Sequence, residues 1–283
     1  MLVTLGGVRG SVPRFGSGCS RYGMDTTSVL VEGVDGDVIL IDLGTGAQHL
    51  AETLCSKDPL RALVLFSHYH LDHLYGLPMF PLLYTARSHL VFAAPLIGRR
   101  SVAHVLSQLM SAPYWPIRLQ DMPARVQFRT LRRSGPLRSS RWGGLRIRWT
   151  PVHHGSGGVA YRVDEVQTGS SFVFATDLEW PESSPAERLE FMQLVREPVP
   201  AQALFFDAQY TPGEYKRKCG WGHSRWTDAI EIARAAKIPL VRMIHHAPHR
   251  NDSELDRIDQ RVRKSYPGAR VGRQGEKIRL SSN

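Results

Sequence analysis

The decisive stretch is ALVLFSHYHLDH, residues 62–73. Five apolar residues, Ala62 to Phe66, read as a short buried strand, so the polar cluster behind them falls on the loop at that strand's end. Within the six residues HYHLDH stand four good metal ligands, His68, His70, Asp72 and His73. Along an extended segment His68 and His70 point the same way and can share one ion, which leaves Asp72 and His73 for a second. A strand tip suits this task, because it fixes ligands and leaves the substrate side open.

The same arrangement, a short apolar strand running into a polar cluster, recurs along the chain. Val38–Ile41 runs into DLGTG (42–46), and Leu145–Thr150 into PVHHGSGG (151–158). Phe172–Ala175 runs into Thr176-Asp177, Leu204–Phe206 into Asp207-Ala-Gln-Tyr210, and Leu240–Ile244 into His245-His246. Six strands that each deliver polar residues at one end describe a sheet assembly with a single functional edge. Between them the apolar spacing predicts helices over 101–110, 185–195, 227–237 and 253–264. Thr227 is the expected N-cap of the third, and Ser253 or Asp252 that of the fourth.

Composition sets the outer bounds. The 283 residues suffice for one domain with a full core, and 42% hydrophobic with 22% charged content is ordinary for a globular protein. No apolar run approaches the ~18–20 residues that span a bilayer, and MLVTLGGVRG lacks the plan of a secretion signal. Cys19, Cys55 and Cys219 are unpatterned, which argues for a reducing cytoplasm over a disulfide framework. The net charge of +10 is carried mostly by arginine. No acidic residue lies between Asp121 and Asp164, an interval holding Arg125, Arg129, Arg132, Arg133, Arg138, Arg141, Arg146 and Arg148. Such a field attracts phosphate or RNA, or it is simply a solvated hairpin.

HxHxDH at 68–73 resembles the signature of the metallo-β-lactamase-fold hydrolases, and this resemblance implies an α/β, four-layer αββα sandwich. It also implies further ligands from distant strand ends. In similar hydrolases the third histidine precedes a Tyr-Arg pair by seven residues; Tyr161-Arg162 therefore selects His154, with His153 the alternative. Asp177 is placed like the aspartate that bridges two metals, and His245 like the last histidine. Asp42 stands as an orienting partner behind a ligand, and His246 and His249 as either substrate-facing or structural neighbours. The cofactor implied is a pair of divalent ions, zinc first, with manganese or iron as alternatives.

DAQYTPGEYKRKCGWGHSRWTD, residues 207–228, narrows the comparison. It resembles the region of tRNase Z enzymes and related phosphodiesterases where an acidic residue pairs with a histidine; here these are Asp207 and His223. The opening GVRGSVP and the stretch 107–128 are similar to small cyclic-nucleotide phosphodiesterases of the same fold. Val8 stands where cysteine is usual, and Met24-Asp25 where Gly-Asn is usual. No long Gly/Pro-rich insertion of the kind that clamps the tRNA elbow is present. The resemblance thus implies a dinuclear phosphodiesterase acting on a cyclic nucleotide. The alternative is an RNA-processing endoribonuclease, with 125–148 as its RNA surface. Arg9, Arg162 or an arginine of 125–148 would hold phosphate, and a homodimer is the expected assembly.

Overall fold

A computed structural model describes all residues except 58–59, 132–138 and 282–283. Two seven-stranded sheets face each other. The first is built from β1 (Leu2–Gly7), β2 (Ser28–Glu32), β3 (Val38–Ile41), β4 (Arg61–Leu65), β5 (His89–Ala94) and β6 (Arg125–Thr130). The second contains β7 (Ser139–Trp142), β8 (Leu145–Val152), β9 (Gly158–Glu165), β10 (Ser171–Ala175), β11 (Ala203–Asp207), β12 (Leu240–Ile244) and β13 (Ala269–Val271). A last strand, β14 (Lys277–Arg279), returns to the first sheet and pairs antiparallel with β1. All six strands expected from the sequence are present, each within one or two residues of its expected bounds.

Alternation sorts each strand's side chains into two apolar layers. In β4, Leu63 and Leu65 enter the core between the sheets, while Ala62 and Val64 face the outer layer. In β10, Phe172 and Phe174 point inward, and Val173 and Ala175 outward. Burial on both faces is why these strands read as unbroken apolar runs rather than as alternation. Helices α1 (Ala47–Leu54) and α2 (Val102–Leu109) cover the first sheet. Helices α3 (Pro185–Arg196), α5 (Trp226–Ala236) and α6 (Asp252–Ser265) cover the second. A single turn, α4 (Pro212–Tyr215), lies between β11 and α5. The four layers are the αββα sandwich.

Two helix starts differ from expectation. The fourth expected helix, α6, is capped by Asn251, whose side chain accepts from the Glu254 backbone N–H at 2.9 Å while Glu254 returns a bond to Asn251 N–H. The third, α5, begins at Trp226 rather than after Thr227, because the Asp228 carboxylate accepts from the Arg225 backbone N–H at 2.8 Å.

Strands β3 to β6 run parallel, as do β10 to β13, so their carboxyl ends gather on one edge of the sandwich. That edge is where open α/β sheets place their chemistry.

Candidate metal centre

Three strand ends on this edge turn through left-handed residues: Asp42 (φ 59°) after β3, Asp177 (φ 50°) after β10, and His245 (φ 60°) after β12. Such backbone costs a non-glycine residue roughly 1–3 kcal/mol and persists only where the surroundings dictate it. Here all three side chains enter the site.

The structure brings His68, His70, His154 and Asp177 into one group, and Asp72, His73, Asp177 and His245 into another, with ligand atoms in each lying within 4.8 Å of one another. Asp177 belongs to both and divides its oxygens between them. Its Oδ1 is 3.6 Å from His68 Nε2, and its Oδ2 is 3.2 Å from both His73 Nε2 and His245 Nε2. Asp72 Oδ2 lies 3.3 Å from His73 Nε2 and 3.2 Å from His245 Nε2. Only His70 and His154 are appreciably exposed, so the first group opens toward solvent and the second is enclosed.

The far ring nitrogens are held from behind. His73 Nδ1–H donates to Asp42 Oδ2 at 2.8 Å, and His154 Nδ1–H donates to the Gly222 carbonyl at 3.0 Å. Ser67 Oγ gives its proton to Asp42 at 2.6 Å, so His68 Nδ1 must be the donor in its 3.1 Å contact with that hydroxyl. Each of these bonds occupies Nδ1 and turns Nε2 toward the group. Asp42 thus orients two histidines. Two glycines make room for others: a Cβ on Gly10 would stand 2.4 Å from His245 Cε1, and one on Gly222 would stand 2.5 Å from His154 Nδ1.

Whether divalent ions fit can be read from the polar atoms. His68 Nε2 and His73 Nε2 are buried without a hydrogen-bond partner, and buried polar atoms are rarely left so. Electrostatics agree. Burial alone would raise the Asp177 pKa, but His245, His73 and His68 hold it well below the usual carboxylate range. Burial alone would lower the His73 pKa, but Asp72, Asp177 and Asp42 carry it well above the usual histidine value. Burial lowers the pKa of His68, His70 and His154, which favours neutral rings, and the buried carboxylates add the negative field and oxygen donors that a divalent cation requires. The residues fit.

Beside the second group lies the pair singled out in GWGHS. His223 Nδ1–H donates to Asp207 Oδ2 at 2.8 Å, and its ring stacks on His245 with centroids 4.9 Å apart. Burial alone would lower the His223 pKa; Asp207, reinforced by Asp177 and Asp72, lifts it to about 9.

Some expected residues lie elsewhere. His153 is exposed, with Nδ1 3.5 Å from Glu187. His246 is buried and donates to the Gly272 carbonyl at 2.9 Å, which makes it structural, and His249 is exposed beside Glu214. Arg9 and Arg162 are not phosphate holders. Both are buried: Arg9 donates to the carbonyls of Gly23 and Arg250, and Arg162 to Asp164 and the carbonyls of Leu194, Val195 and Val199. Arg148 is likewise buried against Asp164. Arg125, Arg129, Arg141 and Arg146 are exposed, while Arg132, Arg133 and Arg138 lie outside the described residues.

One important residue was not anticipated. Glu179, two positions beyond Asp177, is buried and accepts from Tyr215 Oη at 2.7 Å, Gly220 N–H at 2.6 Å and Gly222 N–H at 2.7 Å. It fastens the loop that carries both His223 and the carbonyl behind His154. Ser224 adds a second fastening, accepting from Trp180 N–H at 3.0 Å and donating to the Leu178 carbonyl.

Two facing mixed sheets with a histidine–aspartate centre on their carboxyl edge define a metallo-β-lactamase-fold protein. The chain belongs to the beta-lactamase superfamily domain family, whose match spans residues 38–246. Solved structures share the fold over nearly the whole length. A diphosphatase of the PhnP family is 19% identical with a TM-score of 0.71, covering 100% of this chain and 99% of its own. Human tRNase Z, short form, is 15% identical at 0.68, covering 99% of each chain. Unliganded yeast PDE1 is 12% identical at 0.64, also covering 99% of each. No curated protein matches the sequence. No helix among the described residues is long and apolar enough to cross a membrane.

Proposed function

We propose that the protein is a metal-dependent phosphodiesterase whose substrate is a cyclic nucleotide. The observation that carries this reading is the Asp207–His223 pair at 2.8 Å, beside a centre suited to two ions. His68, His70 and His154 would hold one ion and Asp72, His73 and His245 the other, with Asp177 shared between them. Zinc is the expected metal, with manganese or iron as alternatives, and a solved structure of similar fold is a Zn(2+)-bound PqqB from Methylobacterium extorquens. Bound there, the ions would activate water and offset the charge that grows on the phosphoryl oxygens.

The remaining work falls to side chains. Phosphodiester hydrolysis adds water across a P–O bond and expels an alcohol, whose oxygen departs far more readily if it is protonated as it leaves. With Nδ1 committed to Asp207, His223 carries its transferable proton on Nε2. The Asp207 carboxylate keeps the ring charged, as an acid must be. Glu179 holds the backbone on which His223 and the partner of His154 depend. Three of the similar structures, a diphosphatase, a tRNase Z and PDE1, favour phosphorus chemistry, although an isothiocyanate hydrolase shares the fold too.

The test is a hydrolysis screen of metal-reconstituted protein against cyclic mononucleotides, dinucleotides and a tRNA precursor. Turnover of cyclic mononucleotides is the expected result. A protein that carries two metals per chain and hydrolyses no phosphodiester would refute the reading. Exposed Arg125, Arg129, Arg141 and Arg146, on the outer strand β6 and the β7–β8 hairpin, favour one second reading, an RNA-processing endoribonuclease. Selective cleavage of the tRNA precursor would decide for it.

A further inference from the structure

Between the two glycines that Glu179 fastens stands Trp221. The residue is 61% exposed, unusual for so large an aromatic, in a loop whose adjacent residues are both pinned. Gly220 and Gly222 each adopt φ 82°, a conformation closed to most side chains, so the loop has little freedom to fold Trp221 away. Lys218 Nζ sits 3.5 Å from the ring centroid. Lys216 and Arg217, both exposed, precede it. Trp221 is two residues from His223 and one from the carbonyl that holds His154.

We infer that Trp221 is a stacking platform for a nucleobase carried by a phosphate ester, placed at the rim of the metal centre. A rigid aromatic held in water by its backbone has already met the ordering cost of binding, so a stacked base gains most of its contact energy. One ring face is engaged by the Lys218 ammonium, which adds positive charge where a phosphate would lie. With 61% of the residue exposed, ring surface remains to take a π-system. Because every base offers such a face, the platform favours nucleotides as a class over any one base. This inference rests on the phosphodiesterase reading for the fate of the ligand but not for its binding.

The test measures binding of adenosine monophosphate by calorimetry, with ribose 5-phosphate as the baseless control. Trp221→Ala is expected to weaken adenosine monophosphate by roughly 5- to 150-fold, the worth of one stacked base. It should leave ribose 5-phosphate unchanged, and Trp221→Phe should recover most of the loss. In turnover of a cyclic nucleotide, the effect of Trp221→Ala falls on KM rather than kcat. An adenylate trinucleotide bound no tighter than the monophosphate assigns the base to a mononucleotide; tighter, Trp221-dependent binding assigns it to an RNA chain, and either keeps the stack. Unchanged monophosphate affinity in Trp221→Ala, or equal loss of both ligands, overturns the inference. If no phosphodiester is hydrolysed yet the Trp221-dependent difference persists, the catalytic reading fails and the stacking site stands.

Discussion

Replacing His223 by alanine separates proton donation from metal binding. The side chain is no member of either four-residue group, and although it also approaches Asp207 and His245 closely enough to share an ion, its Nδ1 is spent on Asp207. His223→Ala should therefore keep both metals by elemental analysis. On a natural ester, turnover should fall by ~10²–10⁴-fold, about 3–5 kcal/mol of barrier. A nitrophenyl diester leaves without needing a proton, so on that substrate the same variant should lose far less. The carboxylate behind the ring gives a second handle. With its pKa raised to about 9, His223 is almost wholly charged at pH 7.5. The acid is active while protonated, so the alkaline limb of the natural-ester profile lies above 6.5 and reaches toward 9. Bound ions would offset the contributions of Asp177 and Asp72 but not that of Asp207. In Asp207→Asn burial prevails, the pKa drops below the ordinary histidine value, and the limb moves below pH 6.5. Roughly nine-tenths of the acid is then neutral at pH 7.5, a loss of about tenfold that acidification restores. If His223→Ala sheds metal, or slows both esters alike, the histidine is a ligand or a scaffold and the reasoning fails.

Asp177→Ala should reduce the metal content from about two per chain toward one or none, because its two oxygens face the two groups separately; undiminished metal would remove it as a bridge. Glu179→Gln replaces an acceptor of three bonds with an amide that cannot serve all of them. Denaturant titration should show a loss of about 1–3 kcal/mol, and metal should bind more weakly on the His154 side; an unaltered midpoint would mean that the loop is held by other contacts. Alanine at Arg125, Arg129, Arg141 and Arg146 together should weaken RNA binding and flatten its dependence on salt if this face binds RNA. Unchanged RNA affinity with intact cyclic-nucleotide turnover would make it a solvated face.

What could be read from the chain follows from where information sits in it. Strands β3, β4, β10 and β11 are buried on both faces, so each shows as an apolar run with its functional residue directly behind it, while β12 keeps that pattern around a half-buried Arg242. Strand β6, RVQFRT, lies at a sheet edge with most of its residues exposed, and it carries no such run. Ligand candidates were legible because metal chemistry demands particular side chains. Glu179 was not, because two of its three partners are backbone N–H groups some forty residues away, and these leave no mark on residue type. The burial of Arg9 and Arg162 was equally hidden, since a guanidinium bonded to carbonyls reads like one awaiting phosphate.

Each group of ligands is divided evenly between the sheets. His68 and His70 come from the first sheet, and His154 and Asp177 from the second; Asp72 and His73 likewise meet Asp177 and His245. During synthesis, then, a chain that has emerged only as far as β6 displays HYHLDH but no complete set of donors. The centre closes only once residue 245 has been made and the second sheet has docked on the first. If the two groups hold ions as proposed, strong metal capture is deferred to the end of folding, and a retained ion would certify that the two halves have come together.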